Sequence, residues 1–391
     1  MQIVELEARH VRIPLRRPVK HASHTRTETD NVVVRCVLSD GSVGWGEGVP
    51  RDYVTGETVD TALDLIRASD LPAQFDVCDN FEQAVELAGK LKLAPVPGDD
   101  RMCQGNAARC AVELAVLDAF GRAFGEPLMN VTRLLDPDLY EPREKVQYSG
   151  VILSAKGWKA KALSLAYRVT GFAQVKVKVG IEGQDDAARL ATVRRWAGTA
   201  MDLRVDANEA WAADVAADRI RALEPFGITS VEQPIRHEEI EALAGMRKQV
   251  NTPVMLDESL CSEVDAERAV ANGWCDLFNI RLSKCGGFIP SLRLAGLAAR
   301  HGLGCQLGCQ VGETAILSAA GRQFATSVKD LRYVEGSFDR RLVLDWMAEE
   351  DITFGTGGWA PMLTGSGLGV GIEPERVDAM TVRQEVLLGP A

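Results

Sequence analysis

The chain has 391 residues, of which 46% are hydrophobic and 25% are charged, and its formal net charge is −11. This composition is typical of a globular protein of about two to three domains and excludes disordered, collagenous and fibrous chains. An acidic balance without a long basic run argues against a nucleic-acid partner, and no apolar stretch is long enough to span a membrane. The nine cysteines show no paired CxxC spacing, and the N-terminus lacks the apolar core of a signal peptide. We therefore expect a soluble, cytoplasmic protein.

The first part of the chain, residues 1–130, predicts an α+β domain. Residues 31–39 are rich in β-branched side chains, and Asp40 and Gly41 supply a turn before the next strand begins. Farther along, residues 106–125 place apolar side chains at helical spacing and end in glycine. Strands followed by helices are the pattern of an α+β domain.

The second part, residues 146–355, predicts a parallel βα barrel, because eight short β-rich segments alternate with amphipathic stretches. In chain order the segments are VQYSGVI, AQVKVKV, LRVDA, TSVEQP, PVMLDE, DLFNI, GCQLG and LRYVEG. The glycine-rich end, residues 356–391, is predicted to return to the first domain. Its GSGLGVG segment is not a dinucleotide fingerprint, since the glycine spacing differs and no helical pattern follows.

Two lysines alternate with valines in the second of these segments. Alternation puts Lys176 and Lys178 on one strand face, and in a barrel that face points inward. Two ammonium groups about 7 Å apart disfavour each other's charge, so one of them could act as a general base. The alternative interpretation is an edge strand that carries two exposed lysines.

Three acidic residues follow at steps of 26 and 25 residues, about one βα unit each: Asp206, Glu232 and Asp257. Each stands at the carboxyl end of a predicted strand, the face on which barrel active sites are built. Three converging carboxylates repel one another unless a cation lies between them. Oxygen ligation without histidine or cysteine favours Mg²⁺, or Mn²⁺, over zinc. A lone aspartate at a strand end usually caps a helix, but three acids in successive units argue against that interpretation.

The motifs KVK, DAN, VEQP, LDES and NIRLSKCGG, in this order and spacing, resemble the enolase superfamily and, within it, the muconate lactonizing enzyme subgroup. GWGEG and ELAVLDAFGRAFGEPL resemble the capping domain of that family. The resemblance implies an α/β fold: a modified TIM barrel of the (β/α)7β type, with an α+β capping domain that the C-terminal tail completes. It also implies a homo-oligomer that acts on a small carboxylate.

The resemblance also implies a chemistry and the residues that perform it. In this family one Mg²⁺ stabilises the enediolate that forms when the proton α to a substrate carboxylate is removed. By position, Lys178 matches the acid/base of the family, Lys176 its pKa-lowering neighbour, and Asn208 a polar residue beside the metal. The implied metal ligands are Asp206, Glu232 and Asp257.

One departure from the subgroup concerns its second catalytic lysine, which usually lies on the sixth barrel strand. This chain has Arg281 there, and Lys284 matches a less critical lysine. Arginine does not release its proton near neutral pH, so Arg281 would supply a fixed positive charge or a carboxylate contact. The sequence therefore predicts a one-base lyase or cycloisomerase, similar to muconate cycloisomerase. Two alternatives stay open: a racemase or epimerase of an amino-acid derivative with Lys284 or another group as second base, and a non-catalytic binding protein.

Four further residues are candidates for contact with the substrate, the first three because they match capping-loop positions that touch substrate in this family, and each has an alternative structural role. His21, His24 and Tyr53 lie in the capping loops. Glu313, after the seventh strand, either faces the site or starts a helix. Dipeptide epimerases usually carry a DxD signature near the eighth strand, and YVEGSFDRRL lacks it, which argues against a dipeptide substrate.

Overall fold

This computed structural model describes residues 1–20 and 25–389, which form fourteen strands and fourteen α-helices. The strands are β1 (Ile3–Lys20), β2 (Thr25–Leu38), β3 (Val43–Gly48), β4 (Lys145–Gln147), β5 (Gly150–Ile152), β6 (Gln174–Lys178), β7 (Asp202–Asp206), β8 (Ile228–Glu232), β9 (Val254–Leu256), β10 (Leu277–Ile280), β11 (Gly304–Leu307), β12 (Leu331–Val334), β13 (Trp359–Pro361) and β14 (Thr381–Leu388). The helices are α1 (Asp52–Thr55), α2 (Val59–Ala68), α3 (Phe81–Lys90), α4 (Asn106–Phe124), α5 (Asn130–Leu135), α6 (Gly157–Thr170), α7 (Asp186–Ala197), α8 (Ala213–Leu223), α9 (Leu243–Arg247), α10 (Glu263–Asn272), α11 (Phe288–Arg300), α12 (Ala315–Ser327), α13 (Asp339–Leu342) and α14 (Pro374–Met380). None of the described helices is both long and apolar enough to cross a bilayer.

The capping part is an antiparallel sheet in the order β14-β1-β2-β3, packed against α4. The GWGEG motif in β3 explains how closely the two pack. A Cβ atom built on Gly46 would lie 1.9 Å from the carbonyl oxygen of Ala111, and one on Gly48 would lie 1.9 Å from that of Ala107. Only glycine allows this contact, so the motif fixes the position of α4 on the sheet.

The second part is a curled sheet of eight parallel strands, β5 to β12 in chain order. Helices α6 to α12 connect successive strands, and a backbone hydrogen bond of 2.8 Å from Ser149 N–H to Val334 O links the first and last strands. β14 returns to pair with β1. The predicted TIM-barrel-like fold, with a capping domain completed by the C-terminal tail, is confirmed.

Buried carboxylates of the capping part bind the N-termini of barrel helices. Glu47, in β3, accepts hydrogen bonds from the backbone N–H of Thr314 (3.0 Å) and Leu317 (3.0 Å) at the start of α12. Glu113, in α4, accepts one from Ile289 N–H (2.9 Å) at the start of α11. Free N–H groups and the helix dipole favour a negative charge at these ends. The capping part is therefore joined to the barrel by hydrogen bonds to buried acidic side chains as well as by apolar packing.

The Glu47→Gln substitution should lower the free energy of unfolding by about 2–4 kcal/mol, because its amide NH2 would face the donors that now bind a carboxylate. Burial outweighs these hydrogen bonds and raises the pKa of Glu47 from 4.5 to about 7. The contribution of Glu47 to the free energy of unfolding should accordingly fall as the pH rises from about 4.5 through 7. This part of the pH dependence of stability should be absent from the variant.

Urea denaturation at several pH values measures both effects. Glu28→Gln, which alters an exposed carboxylate of β2, is the control and should change stability by less than about 0.5 kcal/mol. Equal losses in the two variants would contradict the proposed role of Glu47.

Candidate active site

The carboxyl ends of the barrel strands carry a row of charged residues. Lys178, Asp206 and Glu232 are register partners across β6, β7 and β8. Asp257 directly follows β9, and Arg281 directly follows β10. The parallel strands therefore bring residues that are far apart in the sequence to one edge of the barrel.

Lys176 lies one layer deeper and is surrounded by carboxylates. Its ammonium nitrogen is 2.8 Å from Glu335 Oε2, 3.3 Å from Glu232 Oε2 and 3.4 Å from Asp206 Oδ2. Burial opposes its charge, but Glu232, Glu335 and Asp206 together raise the pKa of Lys176. Lys176 is therefore held as a cation. Lys178 makes no hydrogen bond or ion pair within the described part of the chain, so its amine is not held by the acids that surround Lys176.

Glu335 is a site residue that the sequence analysis missed. Its second carboxylate oxygen is hydrogen-bonded to Arg204, whose guanidinium lies 4.4 Å from the ring centre of Tyr333. Burial opposes ionisation, but Lys176 and Arg204 outweigh it and lower the pKa of Glu335 to about 2. Glu335 directly follows β12, so its signal was the same as that of the other acids: a carboxylate at a strand end.

Arg281 lies among the acidic residues. Its guanidinium is hydrogen-bonded to the Asp257 carboxylate, and its Nη2 atom is 3.7 Å from Glu232 Oε1. Burial disfavours the charge, but Asp257 and the neighbouring carboxylates raise the pKa of Arg281 well above its usual value. Burial also opposes ionisation of Asp257, yet Arg281 and Lys284 lower its pKa to about 2. Arg281 is thus a fixed positive charge in the site.

Lys284 is fully buried and supports Asp257 from below the site. Its ammonium nitrogen is 2.6 Å from Asp257 O, 3.0 Å from Asp257 Oδ1 and 2.9 Å from Asn279 O. Three acceptors use all three of its N–H donors. Burial lowers and Asp257 raises the pKa of Lys284, and the net direction is upward. Lys284 therefore positions Asp257.

Polar side chains beside the carboxylates hold the loops that carry them. Asn208 donates its backbone N–H to Asp206 Oδ1 (3.0 Å) and its side-chain amide to Glu258 Oε1 (3.3 Å). Gln233, which lies in the VEQP motif and was given no role from the sequence, accepts the backbone N–H of Asp257 (2.9 Å) through Oε1. These hydrogen bonds fix the acids in position.

The donor set suits a hard divalent cation. The expected ligands are Asp206, Glu232 and Asp257. In addition, Glu258 Oε2 is buried without a hydrogen-bond partner, so the acidic cluster offers oxygen ligands only, which Mg²⁺ prefers. Within residues 1–20 and 25–389 no three acidic, histidine or cysteine side chains are already placed to bind one metal ion together. Arg281 forms an ion pair with Asp257, one of the expected ligands. The chemistry of the residues fits Mg²⁺.

The four residues expected to face the substrate do not come together in one place in the described structure. His21 and His24 lie outside the described residues. Glu313 lines a cavity of about 10 Å³ that it shares with Glu335, and burial raises its pKa to about 8. Tyr53 lies in the seam between the two parts, with the Arg26 guanidinium 5.6 Å from its ring centre. A groove of about 1010 Å³ runs along this seam, and its described lining includes none of the expected catalytic or metal-binding residues.

Comparisons with known proteins agree with this architecture. Residues 159–376 match the family described as enolase C-terminal domain-like, and residues 3–132 match the mandelate racemase/muconate lactonizing enzyme N-terminal domain. The hydrophobic dipeptide epimerase of Enterococcus faecalis is 30% identical over 333 residues, which are 85% of this chain and 89% of the relative. The N-succinyl-L-Arg/Lys racemase of Bacillus cereus is 27% identical over 392 residues, which are 99% of this chain and 100% of the relative.

Solved structures show the same fold. The structure of the Bacillus cereus N-succinyl Arg/Lys racemase superposes with a TM-score of 0.84 at 25% identity, covering 99% of this chain and 100% of that one. The dipeptide epimerase of Cytophaga hutchinsonii, complexed with Mg and the dipeptide D-Ala-L-Val, superposes with a TM-score of 0.83 at 25% identity, with the same coverage. The similarity therefore extends over both parts of the molecule.

The two lysines of β6 should respond differently to the same substitution. Lys176→Met should lower the free energy of unfolding by about 3–5 kcal/mol, because it leaves buried carboxylates without their cation. The control, Lys178→Met, removes no ion pair in the described structure and should cost less than about 1 kcal/mol. Thermal and urea unfolding measure the difference, and equal losses would show that Lys176 does not neutralise the acids.

Proposed function

Because this chain belongs to the enolase superfamily, in its mandelate racemase/muconate lactonizing enzyme group, we propose that it racemises an N-acylated amino acid at the carbon next to the carboxylate. Lys178 carries the proposal: it is a strand-end lysine that is free of ion pairs within the described residues and is register partner to Asp206. The racemase and epimerase relatives support this substrate class more than a muconate. An N-acylated amino acid is favoured over a dipeptide because YVEGSFDRRL lacks the DxD signature.

In the proposed reaction Lys178 removes the α-proton as a general base. Negative charge then develops on the substrate carboxylate, and the fixed cation Arg281 lies at the same barrel edge to stabilise it. When bound by Asp206, Glu232 and Asp257, Mg²⁺ would act as a Lewis acid toward that carboxylate. Asn208, Gln233 and Lys284 position the acids and take no part in the proton transfer.

A second candidate is a one-base reaction, an elimination or a cycloisomerisation. Racemisation needs a proton donor on the face of the substrate opposite Lys178. Arg281 keeps its proton, and Lys284 uses all its donors on Asp257 and Asn279. These two contacts favour chemistry on one face only, in which Lys178 removes the proton and also assists the leaving group.

Exchange of the α-proton in D2O tests the role of Lys178. With Mg²⁺ and a series of N-succinyl amino acids, the protein should replace the α-proton by deuterium, as followed by proton NMR. Lys178→Ala should slow the exchange by about 100- to 10,000-fold, the range associated with loss of a general base.

The control is Lys159→Ala. Lys159 is exposed on α6 and forms no ion pair with the acids in the described structure, so this variant should keep the parent rate. Removal of the metal with EDTA should stop exchange, and added Mg²⁺ should restore it. Unchanged exchange in Lys178→Ala would contradict the proposal. A protein that neither exchanges any substrate nor binds Mg²⁺ in calorimetry would be a non-catalytic member of the fold.

The face of labelling separates the two candidates. A racemase should place deuterium in both enantiomers, which chiral chromatography with mass spectrometry resolves. A one-base enzyme should label a single enantiomer, and Arg281→Lys should then add labelling of the other one, because it restores a lysine at this position. Labelling of one enantiomer in both proteins would exclude position 281 as the place of the second base.

A further inference from the structure

The capping loop before α4 is fixed on the barrel loop after β9. Arg101 Nη2 donates to Asp265 Oδ2 at 2.8 Å, and the Ser262 hydroxyl donates to the Arg101 carbonyl oxygen at 2.5 Å. Asn106 Nδ2 donates to the Cys261 carbonyl oxygen at 2.7 Å. These hydrogen bonds hold the backbone of both loops where they face each other.

Each loop contributes one cysteine to this contact. Cys103 of the capping loop and Cys261 of the barrel loop form a small buried cluster with Val54, against which Tyr53 packs. Their exposed fractions are 4% and 0%. Interaction with the neighbouring Cys103 thiol outweighs burial and lowers the pKa of the Cys261 thiol. Two cysteine side chains that pack in one buried cluster are candidates for a disulfide, in which the sulfur–sulfur distance is about 2.05 Å.

We propose that Cys103 and Cys261 are an oxidation site at which a hydroperoxide forms a disulfide between the capping part and the barrel. The inference rests on the contact between the two loops and is independent of the proposed function. The barrel loop also carries Asp257 and Glu258, so the cross-link would join the capping loop to the segment that presents the acids.

The oxidation is balanced with hydrogen peroxide as the oxidant. The Cys261 sulfur attacks one peroxide oxygen, an S–O bond forms as the O–O bond breaks, and the released hydroxide takes the thiol proton as water. The Cys103 sulfur then attacks the sulfenic sulfur, an S–S bond forms, and a second water leaves with the remaining proton. Two thiols and one peroxide give one disulfide and two waters, and two electrons pass from the protein to the peroxide.

The seam groove is the solvent-filled space that comes nearest to the pair along the chain. This groove, of about 1010 Å³, is lined by Met102 and Ser262, which are the chain neighbours of Cys103 and Cys261. Met102 is 70% exposed. The groove therefore reaches the residues next to both buried thiols in the chain.

The experiment treats the full-length reduced protein with hydrogen peroxide and then counts thiols in denaturant. The number of free thiols should fall from nine to seven. Tryptic digestion without reductant should yield residues 102–109 linked to residues 249–268. The melting temperature should rise by at least about 3 °C and return after dithiothreitol, because the bond closes a long loop in the unfolded chain.

Three variants make the test specific. Cys103→Ser and Cys261→Ser should each abolish the linked peptide and the rise in melting temperature. Cys285→Ser should keep both, since Cys285 is also buried and lines the same groove but belongs to another cluster. Nine free thiols after peroxide, or a linked peptide that contains Cys285, would overturn the proposal.

Discussion

Repulsion among buried carboxylates is the constraint that organises the carboxyl edge of the barrel. Asp206, Glu232, Asp257 and Glu335 are almost completely removed from water, and each would be costly to ionise alone. Four buried or nearly buried cations form ion pairs with these carboxylates: Lys176, Arg204, Arg281 and Lys284. The charge that remains available to a substrate therefore depends on how completely these ion pairs are made.

The same physical solution joins the capping part to the barrel. Glu47 and Glu113 are buried in the capping part, and their partners are the N-terminal N–H groups of α12 and α11. A buried carboxylate is tolerated there because several donors converge on it. The helices that support the last barrel strands are thus fixed by residues near the start of the chain, so the site and its cap form one hydrogen-bonded unit.

Periodicity and spacing were sufficient to place the residues at the strand ends. Alternation in QVKVKV and the nearly even steps between Asp206, Glu232 and Asp257 placed these residues at the strand ends, since the first signal depends only on the two-residue repeat of a strand and the second only on the repeat of the βα unit. Spacing alone could not separate the roles of Lys176 and Lys178, which only the family resemblance distinguished, because the charge on Lys176 depends on Glu335, which approaches from the last strand. The burial of Lys284 could not be predicted either. The turn after β10 brings its ammonium group back to the Asn279 carbonyl oxygen, and no spacing or composition in the sequence indicates that turn.

The close contact between β3 and α4 determines which parts of this chain tolerate substitution. The glycines of GWGEG leave no room for a side chain between strand and helix, so the sheet and α4 can move only as one body. Glu113, on the same helix, accepts a hydrogen bond from the start of α11 and so fixes α4 to that barrel helix. Substitutions in the loops around this frame can therefore change this chain without displacing α4, whereas a side chain added at the glycines of β3 would push the helix off the sheet and disturb its contact with the barrel.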